Sequence, residues 1–289
     1  ADTSVNGYTT YNAIHWDGQK WELKKIYTYS PCSSVDYADL RAIYAFSENN
    51  IVVSSGGGMW WFNGNRWKSE CSINPLLTGV IEKLWGTSSS NLYAVGYNGN
   101  IAHWDGKRWS KIESGVDVNL IDIHGQTTDG KIFICGYNIV NIYKATLLEM
   151  KDKEVKVKWY KTNLFNYDPP YGGTVHNIYT FGDYLFTVGS RGFFKENVRL
   201  GTYPKKVEDY ALDWVYAMRG NDINDIYTFS DQNEIYHFNG INLRKIYGNN
   251  LILHAFYGGA VKGDVVVGVG FIYVSPVFTI ALIVMGKRN

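Results

Sequence analysis

The chain has 289 residues, 45% of them apolar, and its 28 basic and 27 acidic side chains leave a formal charge of +1. That length can bury one large core or two ordinary ones, whereas so balanced and dispersed a charge supplies no field for nucleic acid or anionic lipid. Ten Trp, 23 Tyr and 13 Phe beside 30 Gly favour pleated strands and tight turns, and no stretch repeats its apolar residues at helical spacing.

In chain order, residues 13–16 and 20–26 read as two strands about Asp17-Gly18, with Trp16 before the turn and Trp21 after it. The same anchor returns as Phe62-Asn63-Gly64 with Trp67, as Trp104-Asp105-Gly106 with Trp109, and as Phe238-Asn239-Gly240. Gly18, Gly64 and Gly106 follow one another at 46 and 42 residues, and Gly240 lies 134 residues further on, about three periods with two degenerate copies between. Asp-Gly and Asn-Gly between apolar runs predict a type I′ hairpin turn, which needs positive φ at both central positions.

Two more strand-like runs precede each anchor. The first covers residues 40–46, 81–86, 120–125, 175–181, 214–220 and 253–258; the second begins at Ile51, Leu92, Ile132, Leu185, Ile226 and Val265 and often ends in Val-Gly or Cys-Gly. Each unit is therefore strand, turn, strand, turn, strand, Asx-Gly, strand, which is one blade of an all-β propeller. The spacing predicts a single domain over 1–289: a partial first blade at 1–39 and blades at 40–80, 81–119, 120–174, 175–212, 213–252 and 253–289. That gives seven blades with the first incomplete. A six-bladed ring closed by the N-terminal hairpin is the alternative.

Several segments need a separate reading. Cys32 and Cys71 fall in successive connections from a fourth strand to the next first strand, at the same end of neighbouring blades, and are expected to form a disulfide suited to an oxidising compartment. Cys135 lies in a second strand and reads as a buried thiol. Gly56-Gly57-Gly58 follows a strand with no helix after it, so it is a loop and not a phosphate cradle. The alternating charges of residues 149–158 predict a solvated hairpin or extended loop. Residues 265–286 carry no charge and end at Lys287-Arg288. Their β-branched content, the Ser275-Pro276 interruption and the register of Val265 with earlier second strands predict buried strands instead of a membrane span.

Residues 12–26 (NAIHWDGQKWELKKI), 74–79 (NPLLTG), 84–88 (LWGTS), 94–109 (AVGYNGNIAHWDGKRW) and 111–115 (KIESG) resemble a family of secreted or lipid-anchored bacterial propeller-repeat proteins, whose members are often loosely labelled glucosyltransferases. The resemblance implies an exported protein, extracellular, on the cell surface or periplasmic, normally with further N-terminal residues that start the first blade. It brings no established activity and no functional residue. No transferase motif supports the label, and the chain departs from the pattern in lacking the first half-blade.

No nucleophile elbow, phosphate loop, dinucleotide fingerprint or zinc-ligand spacing appears, so no enzyme activity, cofactor or metal is expected. His15, His103 and His237 recur in register and read as structural; His124, His176 and His254 lie in or near first strands without a recurring carboxylate. The expected function is a non-enzymatic binding or scaffold module with a protein partner. A lectin-like carbohydrate binder is the second reading and an extracellular glycan-acting hydrolase the third. The working surface is expected where the fourth-to-first and second-to-third connections emerge, with Tyr97, Tyr137, Phe165, Tyr167, Tyr171 and Arg191 as exposed contacts, aromatic and Arg side chains being common interface anchors.

Overall fold

The computed structural model describes residues 11–34, 37–138, 144–161, 169–208, 214–248, 254–275 and 278–287. The chain divides into two compact units, Ala1–Ile123 and His124–Asn289. Unit 1 opens with a hairpin of β1 (Ala13–Trp16) and β2 (Trp21–Lys24), which forms a two-stranded sheet of its own. Two four-stranded sheets follow. The first holds β3 (Ala42–Ser47), β4 (Asn50–Ser55), β5 (Gly58–Phe62) and β6 (Trp67–Ser69); the second holds β7 (Ile81–Ser88), β8 (Asn91–Gly96), β9 (Ile101–Trp104) and β10 (Trp109–Ile112).

The division between units falls in β11 (Asn119–His124), the first strand of a sheet that continues with β12 (Ile132–Tyr137), β13 (Ala145–Lys151) and β14 (Glu154–Lys161). Unit 2 then adds two four-stranded sheets and one of three strands. They are β15 (Val175–Phe181), β16 (Tyr184–Gly189), β17 (Gly192–Asn197) and β18 (Lys205–Glu208); β19 (Val215–Asp222), β20 (Asp225–Ser230), β21 (Ile235–Phe238) and β22 (Leu243–Tyr247); and β23 (His254–Lys262), β24 (Val265–Ser275) and β25 (Phe278–Lys287).

From β3 onward the strands of each sheet lie side by side in chain order, the pattern of a β-propeller. Among the described residues six sheets are blades, which matches the six-bladed alternative. The opening hairpin is a two-stranded sheet of its own, Ala13 opposite Lys24 through Trp16 opposite Trp21, with no first or second strand beside it among the described residues, as expected of an incomplete unit, and it is not counted as a seventh blade. The uncharged C-terminal stretch is β24 paired with β25, strands as its β-branched content predicts. The expectation that they are buried is corrected: among the stretch's residues whose burial is described only Val266 and Gly268 are buried, and Val269 and Met285 are 40% and 42% exposed. Among the described residues no helix is long and apolar enough to cross a membrane.

The repeated Asx-Gly anchors join third to fourth strands as expected, but not through two-residue turns. Trp104 pairs with Trp109, leaving a four-residue tip in which the Asp105 N–H donates to the Arg108 carbonyl at 3.3 Å. Asp105 Oδ1 accepts from the backbone N–H groups of Lys107 and Arg108, both at 2.9 Å, and those bonds hold its carboxyl below the usual range. Asp17, Asn63 and Asn239 do the same at their tips. Only the glycine has positive φ, from +87° at Gly64 to +101° at Gly18. The side chain closes the loop, so the first central residue is not forced into the left-handed region. A two-residue turn with positive φ at both positions does occur at Asp152-Lys153 in the charged β13–β14 hairpin.

Packing explains the other recurring signal. A Cβ on Gly96 or Gly189, which end second strands, would collide with the carbonyl of Val80 or Thr174 just ahead of the blade's first strand. Only glycine allows that approach. In unit 1, Met59, Leu84, Leu92, Ala102 and Trp109 belong to a core built by its two four-stranded sheets. In unit 2, Tyr179, Phe186 and Phe193 of one blade pack with Val215, Met218 and Phe238 of the next. All six residues of β12 are buried, which is why it reads as an unbroken apolar run.

Candidate functional site

The connection ends of the blades in unit 2 bring together several polar and aromatic groups. Trp214 stands just ahead of β19 and stacks on His176 of β15, with ring centres 4.8 Å apart and planes 9° from parallel. Tyr137, at the end of β12, packs on both at 5.5 and 5.6 Å. Trp214 keeps 37% of its surface exposed, whereas His176 is 3% and Tyr137 9% exposed. Behind them runs a hydroxyl chain. The Thr174 hydroxyl meets His176 Nε2 at 2.7 Å and donates to Ser190 Oγ at 3.2 Å, while the Thr174 N–H donates to that same oxygen at 3.0 Å. Arg191 follows Ser190 in the β16–β17 turn and is exposed.

A serine, a threonine and a histidine in one chain invite comparison with a hydrolytic site, but their polarity runs the wrong way. With Thr174 donating to Ser190, His176 Nε2 is left as the donor to Thr174, so the imidazole does not take a proton from Ser190. Burial drives the His176 pKa down to about 4, and its Nδ1 is buried without a hydrogen-bond partner among the described residues, where a triad would place a carboxylate. The group is therefore a neutral shelf that holds the indole of Trp214 in one orientation.

The other histidines serve the blades. His103 Nε2 meets Asn91 Oδ1 at 2.7 Å and His237 Nε2 meets Asp225 Oδ1 at 3.0 Å, each binding the start of the second strand from the third. His124 Nδ1 accepts the Thr180 N–H at 3.1 Å. His15 is exposed, since its hairpin has no second strand to meet it. No group of three His, Cys, Asp or Glu side chains is arranged to hold a metal among the described residues.

The expected contact residues divide. Tyr171 is 3% exposed and edge-on to Trp159 and Phe194, both at 5.4 Å. With Tyr137 it is part of the packing, so the expectation that both are exposed is corrected: each ring fills space beside a neighbouring strand. Arg191 is exposed as expected, and Phe165 and Tyr167 lie outside the described residues. In unit 1, Tyr97 is half-buried in a short 3-10 turn after β8, its hydroxyl pKa raised by burial and by the nearby Glu82 carboxylate. Trp214 escaped notice in the sequence because it opens an apolar run that reads as buried strand.

Cys32 and Cys71 form a disulfide with Cα atoms 5.6 Å apart, closing a separation of 39 residues within unit 1. Cys135 is fully buried in β12.

No family model matches the sequence, and no curated protein matches it. The fold is widely shared: 629 solved chains match it, so the architecture does not single out an activity. One is a structure of YCF48 bound to a D1 peptide, with a TM-score of 0.63 and 12% identity, covering 90% of this chain and 83% of that one. Another is the computationally designed Ika8 protein, with a TM-score of 0.56 and 9% identity, covering 81% and 68% respectively.

Proposed function

We propose that this chain is a non-enzymatic, exported protein-binding module, and that the connection end of unit 2 is its contact surface. The observation that carries the reading is the half-exposed Trp214, locked by stacking on the buried neutral His176 and by a tilted contact with Tyr137. Trp and Arg are the side chains most often found as energetic anchors of interfaces, and an indole already fixed in one orientation loses little entropy on binding. Arg191 supplies a cation a few residues away through Ser190 and Thr174. Peptide binding by a protein of the same fold supports the assignment, and the Cys32–Cys71 disulfide supports an oxidising compartment. We further propose that the chain belongs with the exported bacterial propeller-repeat proteins it resembles.

The test is a screen of the whole chain against a displayed random-peptide library and a glycan array, with hydrolysis followed on any glycan hit. Peptide ligands weakened at least tenfold by Trp214→Ala, at unchanged melting temperature, are expected. Glycan binding without peptide binding would replace this reading with a lectin, and turnover would replace it with an enzyme. Compartment is tested by non-reducing peptide mapping, where unmodified thiols at Cys32 and Cys71 in protein isolated without reductant would refute export.

A further inference from the structure

Five hairpin tips join a third to a fourth strand through one device, an Asp or Asn side chain accepting from the backbone N–H groups two and three residues ahead. The fifth copy is Asn197, which accepts from Arg199 and Leu200 at 3.1 and 2.9 Å in the β17–β18 loop. At the two accepted positions the tips of unit 1 carry Gln19 and Lys20, Asn65 and Arg66, and Lys107 and Arg108. The two adjacent tips of unit 2 instead carry Leu200 and Ile241, which are 75% and 81% exposed. Tyr203, in the same loop as Leu200, is 70% exposed. These are the three most exposed large apolar side chains among the described residues. The turn does not require them, because the same hydrogen bonds form over polar side chains elsewhere.

All three border one groove of 650 Å³ between the β15–β18 and β19–β22 blades, with Tyr184, Val207 and Phe238 among its other walls. Its charged lining is Lys195, Lys205 and Lys206 against one carboxylate, Glu196. That carboxylate is 3% exposed and already paired with Lys158 Nζ at 3.2 Å, so Lys195 and Lys205 give the groove positive charge. The Lys195 ammonium stands 4.4 Å from the centre of the Tyr184 ring, which holds the cation at the groove wall.

We propose that this groove binds a linear segment of a partner protein in which apolar side chains alternate with carboxylates. The apolar residues cover Leu200, Tyr203 and Ile241, and the carboxylates meet Lys195 and Lys205. Contiguous exposed apolar residues rimmed by charge mark interaction sites, and the volume takes a few side chains, not a folded domain. The site is separate from the Trp214 surface and does not rest on it.

The test uses the whole chain and the same random-peptide library, panned at low salt. Clones rich in Asp or Glu beside Leu, Ile, Phe or Val are expected, and a fluorescent synthetic copy of the best clone is then titrated. Leu200→Ser with Ile241→Ser, and separately Lys195→Glu with Lys205→Glu, should each weaken it at least tenfold while Trp214→Ala leaves it unchanged. Raising salt from about 50 to 500 mM should weaken it as well, because exposed charges are then screened. The melting temperature of each variant is measured alongside, and Ile241→Asn restores the polar tip of the other blades if the double serine variant fails to fold. Clones rich in Lys or Arg, or equal binding by wild type and both groove variants, would overturn the proposal. Peptides lost only with Trp214→Ala would overturn it too while supporting the other surface. A concentration-dependent dimer in sedimentation, abolished by Ile241→Ser, would assign the groove to a second copy of the chain instead.

Discussion

The Asp105 tip of unit 1 and the Asn239 tip of unit 2 have nearly the same backbone. Their glycines have φ of +92° and +93°, and each Asx oxygen accepts two N–H groups at 2.9–3.0 Å. What differs is what each tip shows to solvent and what lies behind it. Lys107 faces water in the first and Ile241 in the second; half-buried Trp104 precedes the first tip, whereas Phe238, with no exposed surface, precedes the second. The shared residues build the blade, and the residues that differ are free to serve something else.

The largest effect should come from behind the tips. Phe238→Ala empties a site in contact with Phe186 and Phe193, with ring centres 5.9 and 5.0 Å away, and is expected to cost about 4 kcal/mol in denaturant unfolding. Trp104→Ala should cost less, since that indole is only half-buried and its N–H donates to the exposed end of the Ser89 segment at 3.1 Å. Equal losses would mean that the residues behind the two tips are equally well packed, each within its own unit, which would remove the difference drawn above.

Next comes acid. His103 and His237 bind acceptors at the second strands, but His176 is buried neutral, with a pKa of about 4 against an ordinary value of 6.5. Between those values the unfolded chain binds a proton that the folded chain refuses, so stability falls as pH drops from about 6.5 to about 4 and is flat in this respect above 6.5. The loss should reach roughly 3 kcal/mol. Unfolding curves at several pH values, with His176→Gln as the control that removes the dependence, decide it.

The Asx acceptors should matter less and equally. Asn63→Ala and Asn239→Ala each leave two exposed N–H groups to water, and each should cost about 1 kcal/mol. A twofold difference in their melting shifts would show that the tips are not equivalent. Smallest of all, Ile241→Lys and Lys107→Ile should change stability by no more than about 0.5 kcal/mol in either direction, as expected of exposed positions. A large loss from Ile241→Lys would mean that this side chain supports the fold and has no need of a partner.

Much of this architecture is legible in the residues themselves. Asx-Gly anchors, the Val-Gly ends of second strands and the apolar runs locate nearly every strand, because period and turn chemistry are local properties of a chain. The same reasoning places Cys32 and Cys71 at one end of neighbouring blades. It also assigns His103 and His237 to structure, since a residue repeated in register serves the repeat. The Asx turn reads as a type I′ turn in sequence because both use the same two residues, and only the reach of the side-chain oxygen separates them.

Burial at the connection ends was decided by tertiary packing alone. Tyr171 and Tyr137 sit in variable connections, which reads as exposure, yet both are closed in by rings from other strands. Trp214 opens an apolar run, which reads as burial, yet more than a third of it meets solvent. Ile241 and Leu200 are 41 positions apart in the chain and border one groove only because adjacent blades set their tips side by side. Sequence determines which backbone a short segment adopts, through sterics and hydrogen bonds that span a few residues. Which side chains meet across blades, and which are left for a partner, depends on contacts between distant segments that no local pattern encodes.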